Sequence, residues 1–115
     1  MGVDIFLTKR IILSEEEKTS LKKIAESRLG TEVLSRYDVS DIIGVEVAHW
    51  YGCGLADWLC NNDAEQEIDA KTLARLADDC EKHLCNAVDP EDVAKEIRQI
   101  LKDFPDSYFD VTIWA

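Results

Sequence analysis

The sequence predicts an α+β fold, a small, mostly antiparallel sheet of about three strands with about four helices. Three observations carry that expectation. Apolar and β-branched residues gather near both ends of the chain, in "VDIFLTKRIIL" and "SYFDVTIWA", as strands require. Between them lie segments whose apolar residues recur three and four apart, the spacing of a helix face. Several of those segments open on Ser or Asp in the N-cap position. At 115 residues, with 46% hydrophobic content, 5 Gly and 2 Pro, the chain is expected to be one domain, residues 1–115, around one core.

Residues 3–13 read as the first strand, with a bend at Lys9-Arg10. Ser14 followed by Glu17 has the capping-box spacing, and Glu15 and Glu16 favour a helix N-terminus electrostatically. That helix runs to about Leu29, where Gly30 stops it; its thin apolar stripe suits an outer cover for a sheet. A second strand is expected from about Ile42 to Ala48, with Gly44 marking a bulge or a close approach. A helix takes over near Trp50 and ends at Asn61-Asn62-Asp63. Asp69 caps the next helix, where Leu73, Leu76, Ala77, Cys80 and Leu84 keep the helical spacing. Asp89-Pro90 starts a fourth, Asp at N-cap and Pro at N1, with Val93, Ile97, Ile100, Leu101 and Phe104 inward and Pro105 after it. The last strand alternates, Phe109, Val111 and Ile113 one way and Tyr108, Asp110, Thr112 and Trp114 the other; the first strand, or the one near Ile42, is its expected partner.

The formal net charge is −11, and it is uneven. Residues 1–56 carry 9 acids against 7 bases, and residues 57–115 carry 15 against 6. Such a field repels nucleic acid and lipid headgroups and steers the chain toward basic surfaces. Direct nucleic-acid binding is not expected, since phosphate affinity rests on Lys and Arg. No apolar run approaches the ~18 residues of a membrane span, and the opening residues lack the charge order of a secretory signal. The expectation is a cytoplasmic chain with its four Cys as thiols.

The stretch "AHWYGCGLADWLCNN" concentrates two Trp, a Tyr, a His and two Cys. Placed on one helix at ~100° per residue, His49, Cys53 and Cys60 fall within about 40° of one another. Cys53, Cys60, Cys80 and His83 are therefore an alternative zinc set, although structural zinc favours ligand pairs two to four residues apart. Core thiols are the preferred reading, with no cofactor and no metal. No phosphate loop or hydrolase signature is present, so no catalytic residues are expected and the chain is read as non-enzymatic. Binding remains. Trp50, Tyr51 and Trp58 are candidate aromatic anchors. Asp57, Asp63, Glu65, Glu67, Asp78, Asp79 and Glu81 are candidates for an electrostatic face that raises association rates.

Two resemblances bear on provenance. "MGVDIFLTKR", "VEVAHW" and "EIDAKTLARLADDCEKHL" are similar to a group of small uncharacterised phage and prophage proteins beginning Met-Gly-Leu-Asp-Met-Tyr-Leu. That group's Arg-Lys-Ala-Asn after the Trp is replaced here by Tyr51-Gly52-Cys53-Gly54. "WYGCGLADWL" and "DVTI" resemble segments of barstar-type ribonuclease inhibitors, in which an acidic helix plugs a basic nuclease site. The matching positions are Trp50, Tyr51, Gly52, Leu55 and Asp57, with Gly54 where that family has Asn. The first resemblance implies a mobile-element provenance and no activity; the second, with the charge and the aromatics, implies an acidic inhibitor or immunity protein, of toxin-immunity or phage anti-defence type. The expected partner is a basic protein, for instance a nuclease or a nucleic-acid-handling complex, met by carboxylates standing in for phosphates. A zinc-stabilised structural or adaptor domain without catalysis is the alternative.

Overall fold

The computed structural model describes residues 2–40 and 42–115. Its elements run β1 (Asp4–Ile12), α1 (Glu15–Leu29), α2 (Thr31–Leu34), β2 (Ile42–Tyr51), α3 (Cys53–Asn61), β3 (Glu67–Asp69), α4 (Ala70–Glu81), α5 (Pro90–Asp103) and β4 (Tyr108–Trp114). Among the described residues the fold is α+β, five helices with a four-stranded antiparallel sheet of order β2-β1-β4-β3. The extra strand, β3, is three residues long, too short for alternation to stand out. The extra helix, α2, is a single turn beyond Gly30.

The described chain forms two compact units, residues 1–9 with 45–115, and residues 10–44. In the first, the core lies on one face of the sheet. Alternation turns Ile5 and Leu7 of β1, Ala48 and Trp50 of β2, Ile68 of β3, and Phe109 and Val111 of β4 inward. Leu55 and Leu59 of α3, Leu73, Leu76 and Cys80 of α4, and Val93, Ile97 and Ile100 of α5 join them. Burying each such Leu or Ile contributes about 1.5–3 kcal/mol, which is why these helices hold to the sheet. Register keeps the layers aligned: Ile5 sits opposite Ile113, Leu7 opposite Val111, and Ile68 opposite Phe109. The C-terminal strand is thus interior, paired with β1 as expected and with β3 on its other side.

Three local expectations change. β2 continues to Tyr51, three residues past the expected end, and α3 begins only at Cys53. Trp50 and Tyr51 alternate as strand residues, one buried and one exposed, and the chain turns at Gly52 with φ of 135°, a conformation that only glycine adopts without strain. His49 is therefore on a strand and shares no helical face with Cys53 and Cys60. Asp89 occupies the N-cap position of α5 but is left-handed, φ 49°, and its side chain makes no capping bond; Pro90 at N1 supplies the start instead. β1 is one continuous strand from Asp4 to Ile12, paired with β4 through Lys9, so it runs on across the expected bend at Lys9-Arg10.

The second unit holds α1, α2 and the adjoining ends of β1 and β2. The capping box of α1 is present: Glu17 N donates to Ser14 Oγ at 3.2 Å and Ser14 N to Glu17 Oε1 at 3.0 Å. No α1 side chain is buried, and Leu34 is the buried large apolar residue among those described here.

Candidate interaction site on the open sheet face

The alternation that buries Ile5, Leu7, Trp50 and Phe109 turns their neighbours to the other side of the sheet. β1 contributes Asp4 and Phe6, β2 contributes His49 and Tyr51, and β4 contributes Tyr108 and Trp114. Phe6 and His49 stack at 4.3 Å between ring centroids with an interplanar angle of 17°. Trp114 meets Phe6 edge-on at 5.7 Å. His49 Nε2 lies 2.8 Å from Asp4 Oδ1, a bond that fixes the imidazole against the Phe6 ring. Tyr51 is 58% exposed and Trp114 65% exposed. Gly2 lies so close to Tyr51 that a side chain there would collide with the phenol ring. The result is an aromatic cluster held in place from beneath and open above. Such rings offer apolar area and negative π-faces to a cation.

Beside it, where β2 ends near the start of α5, lies a groove of about 210 Å³ lined by His49, Trp50, Tyr51, Asp89, Asp92 and Glu96. The Trp50 indole donates to Glu96 Oε2 at 2.6 Å, so the one polar atom of this buried ring is satisfied. Carboxylates over aromatic walls suit a basic side chain, whose stem packs while its head is paired.

The expected anchors and carboxylates distribute differently from their sequence order. Trp50 and Trp58 are core residues, 5% and 8% exposed; of the three expected anchors, Tyr51 is the exposed one. Trp58 donates to Asp79 Oδ2 at 2.8 Å, and Arg75 lies over its ring. Arg98 pairs with both Asp78 and Glu81, and these contacts hold the guanidinium firmly protonated. The three acids of α4 thus have partners within the fold. Asp57, Asp63 and Glu65 are exposed, Asp63 in a left-handed turn. Glu67 stands opposite Asp110 on the β3–β4 ladder, so it belongs to the sheet and not to the α4 group.

The cysteines separate into two kinds. Cys53 and Cys60 are exposed; Cys80 and Cys85 are buried. Burial pushes the Cys80 thiol up to about 12, with Cys85, Asp79 and Glu81 adding to the effect, and burial raises Cys85 as well. His83 stands 3.5 Å from Glu91. Among the described residues, no group of three or more His, Cys, Asp or Glu side chains is arranged to hold a metal ion; Cys53, Cys60, Cys80 and His83 are not assembled into a zinc site.

Sequence reasoning missed Phe6 and Asp4, and it placed His49 on a helical face with Cys53 and Cys60 instead of in this cluster. The alternation of β4 already placed Trp114 outward; carrying β2 through Tyr51 would have brought His49 to the same face. No protein family, no curated protein and no solved structure matches this chain.

Proposed function

We propose that this chain is a non-catalytic binding protein that docks a basic protein through the open sheet face. Phe6, Tyr51 and Trp114 act as anchors, and the groove of Asp89, Asp92 and Glu96 receives a Lys or Arg side chain. The observation that carries this reading is the Phe6–His49–Trp114 cluster, with Phe6 half-buried and His49 and Trp114 exposed, in a unit with 17 acids against 7 bases, a net of −10. Buried aromatics at the centre of an interface dominate affinity, and a charged surround sets the association rate. A partner whose own basic surface handles nucleic acid, such as a nuclease, fits the charge. Blocking that surface would make the chain an inhibitor of immunity or anti-defence type.

Affinity capture tests this. Wild-type protein should retain basic proteins in low salt and release them in high salt, and the Tyr51→Ser/Trp114→Ser variant should retain few of them. Equal capture by wild type and variant, or capture indifferent to salt, would remove the reading.

A further inference from the structure

The unit of residues 10–44 presents a second surface of opposite character. Ile12 is 73% exposed, and Ile24, Leu29, Tyr37, Ile42 and Ile43 each leave at least two-fifths of their area free. Ile42 and Ile43 are consecutive strand residues, so they point to opposite faces, and both are exposed. β2 is thus partly uncovered on both faces at this end. It is also the first strand of the sheet order, so its outer backbone groups face away from β1. An exposed edge of this kind is normally blunted by Lys, Pro or charge. Between Ile42 and Tyr51 the only Asp, Glu, Lys, Arg or Pro is Glu46.

We infer that a second copy of this chain covers this unit, by antiparallel pairing of β2 with its counterpart along the free edge around Ile43. Charge selects the occupant. The unit carries 7 acids against 6 bases, a net of −1, while the rest of the chain carries −10. Two copies approaching through this unit meet the least repulsion the molecule offers, whereas a basic partner is drawn to the other. Antiparallel strand pairing is itself two-fold symmetric, presenting one patch to its own copy, the isologous geometry of most dimers. It extends the four-stranded sheet to eight.

Sedimentation equilibrium on the whole chain tests this. Wild type should be dimeric, and Ile43→Lys and Ile12→Lys should each weaken association about tenfold or more with helix content unchanged and with melting lowered only by the lost dimer linkage. Trp114→Ser should leave the dimer intact. A wild type that stays monomeric at high concentration overturns the inference. So does a dimer that survives both Lys variants, or one that only Trp114→Ser dissolves. Failure here would leave the capture result of the aromatic face unaffected, because the two surfaces share no residue.

Discussion

The indole nitrogen of Trp58 donates to Oδ2 of Asp79 across 2.8 Å, joining α3 to α4. An aromatic ring and a carboxylate that look in sequence like two separate contacts for a partner are contacts for each other. The ring fills the core, and its one donor finds an acceptor where the helices meet. Removing one member leaves the other's polar atom short of a partner, which costs about 1–3 kcal/mol where the group is buried. Trp58→Phe and Asp79→Ala should each destabilise the fold by about 1–2 kcal/mol, and the double variant by less than their sum. Urea unfolding of the four proteins measures this.

Gly54 opens α3 against the loop carrying Asn86. A Cβ at this position would fall onto the Asn86 carbonyl, and backbone cannot move aside as a flexible side chain can. Gly54→Ala should therefore be among the more damaging small substitutions, about 2–4 kcal/mol by analogy with overpacked cores. Gly30→Ala meets no atom within 4 Å but keeps a φ of 90°, so its cost should come from backbone strain alone and be smaller. Thermal melting of the two variants separates clash from strain.

The cysteines should react in two classes. Cys53 and Cys60 are exposed and should label promptly at mildly alkaline pH. Cys80 and Cys85 are buried with raised thiol values, so little nucleophilic thiolate is present, and they should label only on unfolding. The same shift sets a pH dependence. The unfolded Cys80 ionises near 9.0 and the folded one at about 12, so the folded state holds the proton longer. Stability should be steady below 9.0 and fall as pH rises toward 12. Thiol counting and melting against pH check both statements, and Cys80→Ala should flatten that alkaline decline.

Asp69 ends β3 and caps α4, accepting from Thr72 N at 2.7 Å. That bond holds its carboxyl below the usual value of 3.8. The contribution is present above 3.8 and is lost as pH falls through the lowered folded value. Asp69→Ala should cost about 1 kcal/mol at neutral pH and less in acid, where the wild-type cap is itself protonated. Denaturation at two pH values reads the difference.

Much of the fold was legible because the chain obeys simple periods. Ser14 and Glu17, Asp69 with the Leu73–Cys80 stripe, and the alternation of Phe109, Val111 and Ile113 each fix an element locally. The stretch from Ala48 to Asn62 misled because Trp50 and Tyr51 fit a strand end and a helix start equally well until Gly52 is seen as the turn. β3 escaped because its one inward residue, Ile68, gives no period. The aromatic cluster was illegible for a different reason. Phe6, His49 and Trp114 are far apart in sequence, and only pairing of β1 with both β2 and β4 brings them together.

The most direct test of the interaction face is an NMR titration of the whole protein with a synthetic Arg-rich peptide containing one Trp, followed residue by residue. The predicted result is a set of perturbations centred on Phe6, His49, Tyr51 and Trp114 and reaching Asp92 and Glu96, abolished in Tyr51→Ser/Trp114→Ser and absent with a Glu-rich control peptide. Perturbations centred on Asp57, Asp78 and Glu81, or none at all at the aromatic cluster, would contradict it.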